Sequence, residues 1–229
     1  MKTLIIGYGQ IGKALEKVLE DYNPLILDTD YQTIGADQPV EIMHICFPYS
    51  ETFIQDVKDY QKRFNPKYTV IHSTVPVGTS RLCGAIHSPV VGIHPHLAKS
   101  IKTFTKFFGG KEASGVANYF RRAGCKVYLF DDQETTELAK LSQTTYYAMT
   151  IEYIKMLKRI CDEKDLSFTE VSTTFINDYN RGYEELGLPE IKIPNLVPIM
   201  TEQGGHCTIP NCDLWTNDFT EFIKEQNKK

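Results

Sequence analysis

Leu4-Ile5-Ile6-Gly7-Tyr8-Gly9-Gln10-Ile11-Gly12, followed after one amphipathic stretch by Pro24-Leu25-Ile26-Leu27-Asp28, decides the reading of this chain. A short apolar run ends in three glycines spaced GxGxxG, a helical pattern covers Ile11 to Asp21, and a second apolar run ends in an acid. In such a strand-turn-helix-strand unit the first glycine permits the tight turn. The second admits an approaching pyrophosphate to the backbone, and the third lets the helix pack against the strand. The helix N-terminus presents unpaired N–H groups to the anion. Asp28, 21 residues after Gly7, is placed to hydrogen-bond the two ribose hydroxyls of NAD and to repel the extra phosphate of NADP. Asp30 competes for that role but lies farther from the strand end. NAD is the expected cofactor, held by Gly7, Tyr8, Gly9, Gln10, Ile11, Gly12 and Asp28, with Pro48, Ser73 and Thr74 at the ends of later strands.

The alternation continues outward from this unit. Strands are expected at Lys2 to Ile6, Pro24 to Asp28, Ile42 to Phe47, Tyr68 to His72, Val90 to Ile93, Lys106 to Phe108 and Lys126 to Phe130. Helices fall near Ile11 to Asp21, Glu51 to Phe64 and Glu112 to Ala123. The pattern predicts an α/β fold, a Rossmann-type doubly wound parallel sheet over residues 1–132, followed by a smaller all-helical domain over 133–229 for substrate binding and dimerisation. From Glu134 to Glu163 there is neither Gly nor Pro, enough for a helix of about 45 Å. Leu138, Leu141, Thr145, Ala148, Glu152, Lys155 and Arg159 trace one of its faces, and Tyr147, Ile151, Ile154, Leu157 and Ile160 a more apolar one. Its length suggests a connecting or dimer-forming helix, and a homodimer is expected. Tyr146, Tyr147, Tyr153 and Phe175 read as core or interface packing. A further helix is expected from Thr169 to Leu186, and then Pro194, Pro198, Gly204, Gly205 and Pro210 break regular structure into a loop.

The 229 residues carry a net charge of -4 with 24% charged and 41% hydrophobic side chains, an ordinary globular balance. No basic stripe suits a nucleic acid, and no apolar run approaches the roughly 20 residues of a membrane span. The N-terminus lacks the pattern of a signal peptide, and six scattered cysteines fit a reducing, cytoplasmic setting. His94, His96, His206, Cys207 and Cys212 match no standard zinc spacing, so no metal is expected.

Three further segments carry chemistry. Ser73-Thr74-Val75-Pro76-Val77-Gly78-Thr79 follows the fourth strand, Glu137-Leu138-Ala139-Lys140-Leu141 heads the long helix, and Gly204-Gly205-His206-Cys207 lies in the late loop. In kind, order and approximate spacing they resemble the UDP-glucose and UDP-N-acetylmannosamine 6-dehydrogenases, within the 6-phosphogluconate-dehydrogenase-like superfamily. The likeness runs over about residues 1–213. It implies oxidation of a primary alcohol to a carboxylate by two hydride transfers, through a thiohemiacetal and a thioester on cysteine. Cys207 would be the nucleophile, Lys140 would hold the developing alkoxide, and Thr74 would position water or cofactor.

The chain departs from that pattern at definite places. Thr144 stands where the family has Asn. Asn211 stands where it has an Asp four residues after the cysteine, unless an insertion brings Asp213 there. Ser88-Pro89-Val90 stands where it has a glutamate that assists thioester hydrolysis. Only 22 residues follow Cys207, so no counterpart of the family's C-terminal nucleotide-sugar domain is expected, and the expected substrate is a sugar, a nucleotide sugar or a related small polar compound, with one smaller than a nucleotide sugar in view. Gly92-Ile93-His94-Pro95-His96 is similar to a GxHP segment of prephenate dehydrogenases, which makes His94 a candidate base for a single-step oxidation. A fold that binds NAD or a metabolite as a sensor, without turnover, is the third reading.

Overall fold

The computed structural model describes residues 2–35, 37–204 and 207–228. Its order is β1 (Thr3–Ile6), α1 (Gln10–Val18), β2 (Leu25–Leu27), β3 (Ile42–Ile45), α2 (Phe53–Phe64), β4 (Tyr68–Ile71), α3 (Thr79–Leu82), β5 (Ile86–His87), α4 (Leu97–Thr103), β6 (Lys106–Gly109), α5 (Ala113–Arg122) and β7 (Val127–Phe130). Then come α6 (Gln133–Glu163), α7 (Phe175–Glu185), α8 (Ile209–Asp213) and α9 (Asp218–Asn227). Two compact units result, Met1–Leu141 and Ser142–Lys229.

In the first unit seven strands form one sheet in the order β2-β1-β3-β4-β5-β6-β7. β1 and β3 are buried at every position, which is why they read as unbroken apolar runs rather than alternating ones. Ile5, Ile42, Val70 and Phe108 pack on one face with Leu15, Val18 and Phe120. Leu4, Met43, Ile45 and Ile71 pack on the other with Phe53, Val57 and Phe64. Phe53, Phe64, Phe108 and Phe120 are fully enclosed, each contributing about 2–3 kcal/mol of transfer free energy.

The expected doubly wound α/β sheet is present and mostly parallel; β6 runs antiparallel to β5, pairing Gly109 with His87, and β7 follows β6 in parallel. One expectation is corrected: the fifth strand is Ile86–His87, not Val90 to Ile93. Ser88 N–H still donates to Ile71 O at 2.8 Å, but Pro89 has no N–H to extend the ladder.

The second unit is helical. α6 is one continuous helix of 31 residues, as its freedom from Gly and Pro predicts. Its buried positions are largely the more polar ones: Thr144, Thr145, Ala148, Glu152 and Lys155 are enclosed, whereas Tyr147 and Ile160 of the apolar side are exposed. The helix expected from Thr169 opens as a π-helical stretch, Thr169–Thr174, and passes into α7. The amide of Asn180 pairs with both backbone groups of Ile193, tying the following chain to α7. α9 falls where the sequence pattern predicts no helix. Asn217 caps it by accepting from Phe219 N–H and Thr220 N–H, and Thr220 Oγ1 accepts from Asn217 N–H in return.

Candidate functional site

The glycine turn has the geometry that the spacing requires. Gly7 adopts φ +92°, and a Cβ on Gly12 would stand 2.1 Å from the Gly7 carbonyl, so only glycine fits there. A Cβ on Gly9 would meet nothing within 4 Å, which leaves its backbone open to an approaching group. No side chain caps the N-terminus of α1, so its first N–H groups keep their polarity for a ligand. Gln10 is exposed, and Tyr8 and Ile11 are half-buried. Tyr8 stacks on Tyr31 at 5.0 Å between ring centroids, and its hydroxyl donates to Glu16.

Asp28 is half-buried at the end of β2 and turns back onto this loop. One carboxylate oxygen accepts Tyr8 N–H, and the other accepts Thr29 N–H at 2.7 Å and Thr29 Oγ1 at 3.0 Å. The Tyr8 hydrogen bond chiefly, with those from Thr29, holds its carboxyl below the usual carboxylate range, so Asp28 is anionic at neutral pH. Asp30 is exposed. The residues present therefore fit a dinucleotide: a tight turn, an open second glycine, an uncapped helix start and a fixed anion for a sugar diol.

The strand ends beyond β3 and β4 supply the next rim. Pro48 is exposed, Ser73 is buried with its hydroxyl donating to Phe47 O at 2.5 Å, and Thr74 is half-buried. The first turns of α6 are bonded to this rim by side chains. Gln133 donates to Ala85 O at 3.0 Å, Thr136 Oγ1 meets His87 Nδ1 at 2.8 Å, and Lys140 Nζ donates to Val90 O at 3.0 Å. Glu137, fully buried, accepts Gly78 N–H at 2.6 Å and Ser80 N–H at 2.8 Å, fixing the loop that contains Thr74 to the helix that contains Lys140. Burial raises the carboxyl of Glu137 above its ordinary value, and the two backbone N–H groups oppose that rise. The sequence offers Glu137 only as a member of its segment, since nothing in the pattern marks it as buried.

His94 is exposed on the segment after β5. In the second unit Cys207 is exposed, while Gly205 and His206 lie outside the described residues. Asn211 is buried and its Nδ2 lies 3.3 Å from Thr144 Oγ1, whereas Asp213 is 61% exposed and pairs with Lys224 at 2.8 Å. Thr144 and Asn211 are thus partners of each other. Gln203, just before the glycine pair, donates to Ala148 O at 3.0 Å and Glu152 Oε1 at 2.6 Å and holds Asn227 through its own N–H.

No protein-family model and no curated protein matches the sequence. Solved structures do match. The UDP-D-ManNAc dehydrogenase of Pyrococcus horikoshii superposes with a TM-score of 0.76 at 14% identity, over 100% of this chain and 68% of its own. The UDP-N-acetyl-mannosamine dehydrogenase of Staphylococcus aureus gives 0.75 at 16%, over 100% and 68%. The 3-hydroxyisobutyrate dehydrogenase of Mycobacterium tuberculosis gives 0.71 at 13%, over 100% and 93%. The chain has the fold of these dehydrogenases.

Proposed function

We propose that the chain is an NAD-dependent oxidoreductase that removes hydride from the alcohol carbon of a small polar substrate, a sugar or a related hydroxy compound. The observation that carries the proposal is the Asp28 carboxylate held against the Tyr8 N–H of a glycine turn that no side chain caps. Neighbours of the same fold are dehydrogenases of nucleotide sugars and of 3-hydroxyisobutyrate, which supports alcohol oxidation as the reaction class. Gly7 to Gly12 would hold the pyrophosphate and Asp28 the adenosine ribose, with Pro48, Ser73 and Thr74 along the rim. A nicotinamide bound there would serve as hydride acceptor.

Lys140 is the residue we assign to the alkoxide. Its ammonium is oriented by Val90 O, and a fixed cation stabilises the negative charge that develops on the substrate oxygen. Thr74 would position water or cofactor. To Cys207 we assign the thiol that captures an aldehyde as thiohemiacetal; its exposure supports the assignment. A second reading, one oxidation step with His94 as base, is favoured by a specific observation. The position beside Thr144 is filled by the amide of Asn211, and Asp213 is drawn away to Lys224, so that pair supplies no carboxylate to activate water on a thioester.

Calorimetry tests the first claim: NAD should bind, NADP should bind more weakly, and Asp28→Ala should remove the difference. Absence of binding by oxidised and reduced cofactor alike would end the oxidoreductase reading. A screen for NADH release over sugars, nucleotide sugars and hydroxy acids then separates the two chemistries. Cys207→Ser should abolish turnover and leave NAD affinity intact if the thiol participates, and leave the rate unchanged if His94 acts alone. Turnover absent despite tight NAD binding is the outcome that a sensor would give.

We infer a homodimer as well. Tyr146, Tyr147, Tyr153 and Phe175 are all more than half exposed, which supports an interface rather than a core role for them. The described helices do not include one long and apolar enough to cross a membrane. All six cysteines are free, in keeping with a cytoplasmic setting.

A further inference from the structure

Within the first unit, β3, the end of β4 and β6 bring a lysine and two histidines into line beneath the rim. Lys106, at the start of β6, is buried, yet its Nζ has three neighbours: Ser88 O at 2.6 Å, Pro89 O at 3.0 Å and His72 Nδ1 at 3.1 Å. His72 Nδ1 also lies 2.8 Å from Ser88 O, and His72 Nε2 lies 2.9 Å from His44 Nδ1. His44 Nε2, at the far end, is buried without a partner among the described residues.

A neutral imidazole carries one N–H, so the lysine and histidine contacts can be filled in two ways; only the second also fills the 2.8 Å contact of His72 Nδ1 with Ser88 O, two atoms that in the first are acceptors bridged by the ammonium. With Lys106 as ammonium, its three N–H groups go to Ser88 O, Pro89 O and the lone pair of His72 Nδ1. His72 then donates from Nε2 to His44 Nδ1, and His44 keeps its proton on Nε2. With Lys106 as amine, two N–H groups go to the carbonyls and its lone pair faces an N–H on His72 Nδ1, which also reaches Ser88 O. His72 Nε2 then accepts from His44 Nδ1. The arrangements differ by one proton. That proton is exchanged with bulk water: its loss to hydroxide or water reaching His44 Nε2, with one proton shift along each of the two following hydrogen bonds, converts ammonium to amine and reverses both tautomers.

We propose that Lys106, His72 and His44 share one exchangeable proton which sets the hold on Ser88-Pro89-Val90, making Lys106 a positioning residue for Lys140, anchored on the next carbonyl. Only the last link, to Lys140, rests on the function proposed above.

Among the described residues that act on Lys106, none supplies an opposing charge. Cys46 just beyond β3 and Cys125 just before β7 face Lys106, and burial raises both thiols, which stay protonated. Lys140 of α6 repels it, and Lys102 of α4 faces Cys125. His87 of β5 is pushed down to about 3 by burial, His44 likewise, and His72 is also lowered, so all three are neutral. The rings of Phe108 and Phe120 lie 5.8 and 6.0 Å from the nitrogen. Burial foremost brings Lys106 down to about 7, where its charge changes under ordinary conditions.

The test is a nitrogen-15 imidazole titration of the whole chain by NMR, from about pH 5.5 to about pH 9, a range that brackets the lysine's transition. His72 and His44 should pass together from the Nε2–H to the Nδ1–H tautomer with one midpoint near pH 7, and Lys106→Met should lock both in the second form. Fixed tautomers in the native protein, separate midpoints, or a switch that survives in Lys106→Met would overturn the shared proton. If Lys106→Met does not fold, the native titration decides. In the NADH assay kcat/KM should show a limb with the same midpoint, lost in Lys106→Met; activity without that limb would overturn the link to Lys140. Failure of NAD to bind is a separate result that strikes the oxidoreductase reading, while the two tautomers still decide whether the proton is shared.

Discussion

The two units bury different things. In the first, both sheet faces carry broad apolar clusters that close around Phe53, Phe64, Phe108 and Phe120. In the second, the enclosed apolar cluster is Ala148, Cys212 and Ile223, α7 buries no residue, and a buried ion pair of Glu152 with Lys155 at 2.9 Å sits where side chains of similar volume would pack. The first unit holds itself together by area removed from water. The second relies on hydrogen bonds of Gln203, Asn227 and Asn217, which fix geometry more than they add free energy. Rigid support for the proposed cofactor loop belongs with the former, and the exposed surface of the proposed dimer belongs with the latter.

Acid should divide the units most. His44 and His87 fall to about 3 in the folded chain through burial, against 6.5 when exposed. The unfolded state therefore binds more protons between those values, and stability is lost as pH falls through that window. Each histidine accounts for on the order of 4 kcal/mol by its lower end. Urea unfolding at about pH 7 and about pH 4, either end of most of that window, should show by hydrogen exchange the sheet weakening before α6 to α9. Equal loss in both units would contradict the comparison. Replacing Gly12 by Ala should cost NAD affinity at least about 100-fold, near 2.7 kcal/mol, because the new Cβ displaces the Gly7 carbonyl. Calorimetry reads the loss, and native affinity would refute the role of the turn. Glu137→Gln, which sets an amide N–H against one of two backbone N–H groups, should lower stability by about 2 kcal/mol in a denaturant titration. Phe175→Asp should raise a dimer dissociation constant about tenfold in sedimentation and leave the first unit's melting unchanged. A monomeric native chain would break that half of the contrast.

The glycine turn is legible in the sequence because backbone rules act locally: φ at Gly7 and the close approach at Gly12 follow from three positions. The long helix is legible through the absence of breakers. The fifth strand is not, since Ile86–His87 is two residues long and the apolar run beyond Pro89 resembles a strand without a ladder to join. α4 escapes because seven residues give too few turns for periodicity to show. α9 has a signal in Asn217 and Thr220, spaced as a capping box but with threonine in place of the usual Glu or Gln. Glu137 and Lys106 illustrate the remaining limit. Charged residues normally face water, and only the assembled rim shows which carbonyls and N–H groups require them inside. A histidine in the fully buried run Ile42-Met43-His44-Ile45 is the one clue to the latter.

Asp28 carries a further consequence. Its oxygens are already oriented by Tyr8 and Thr29 before any sugar arrives, so the rotational freedom of this side chain is lost during folding rather than during capture. In the proposed cofactor site a visiting diol would meet a stationary acceptor, and a phosphate ester a stationary repulsion that cannot swing aside. The proposed discrimination between the two nucleotides would then lie in the resting shape of the turn.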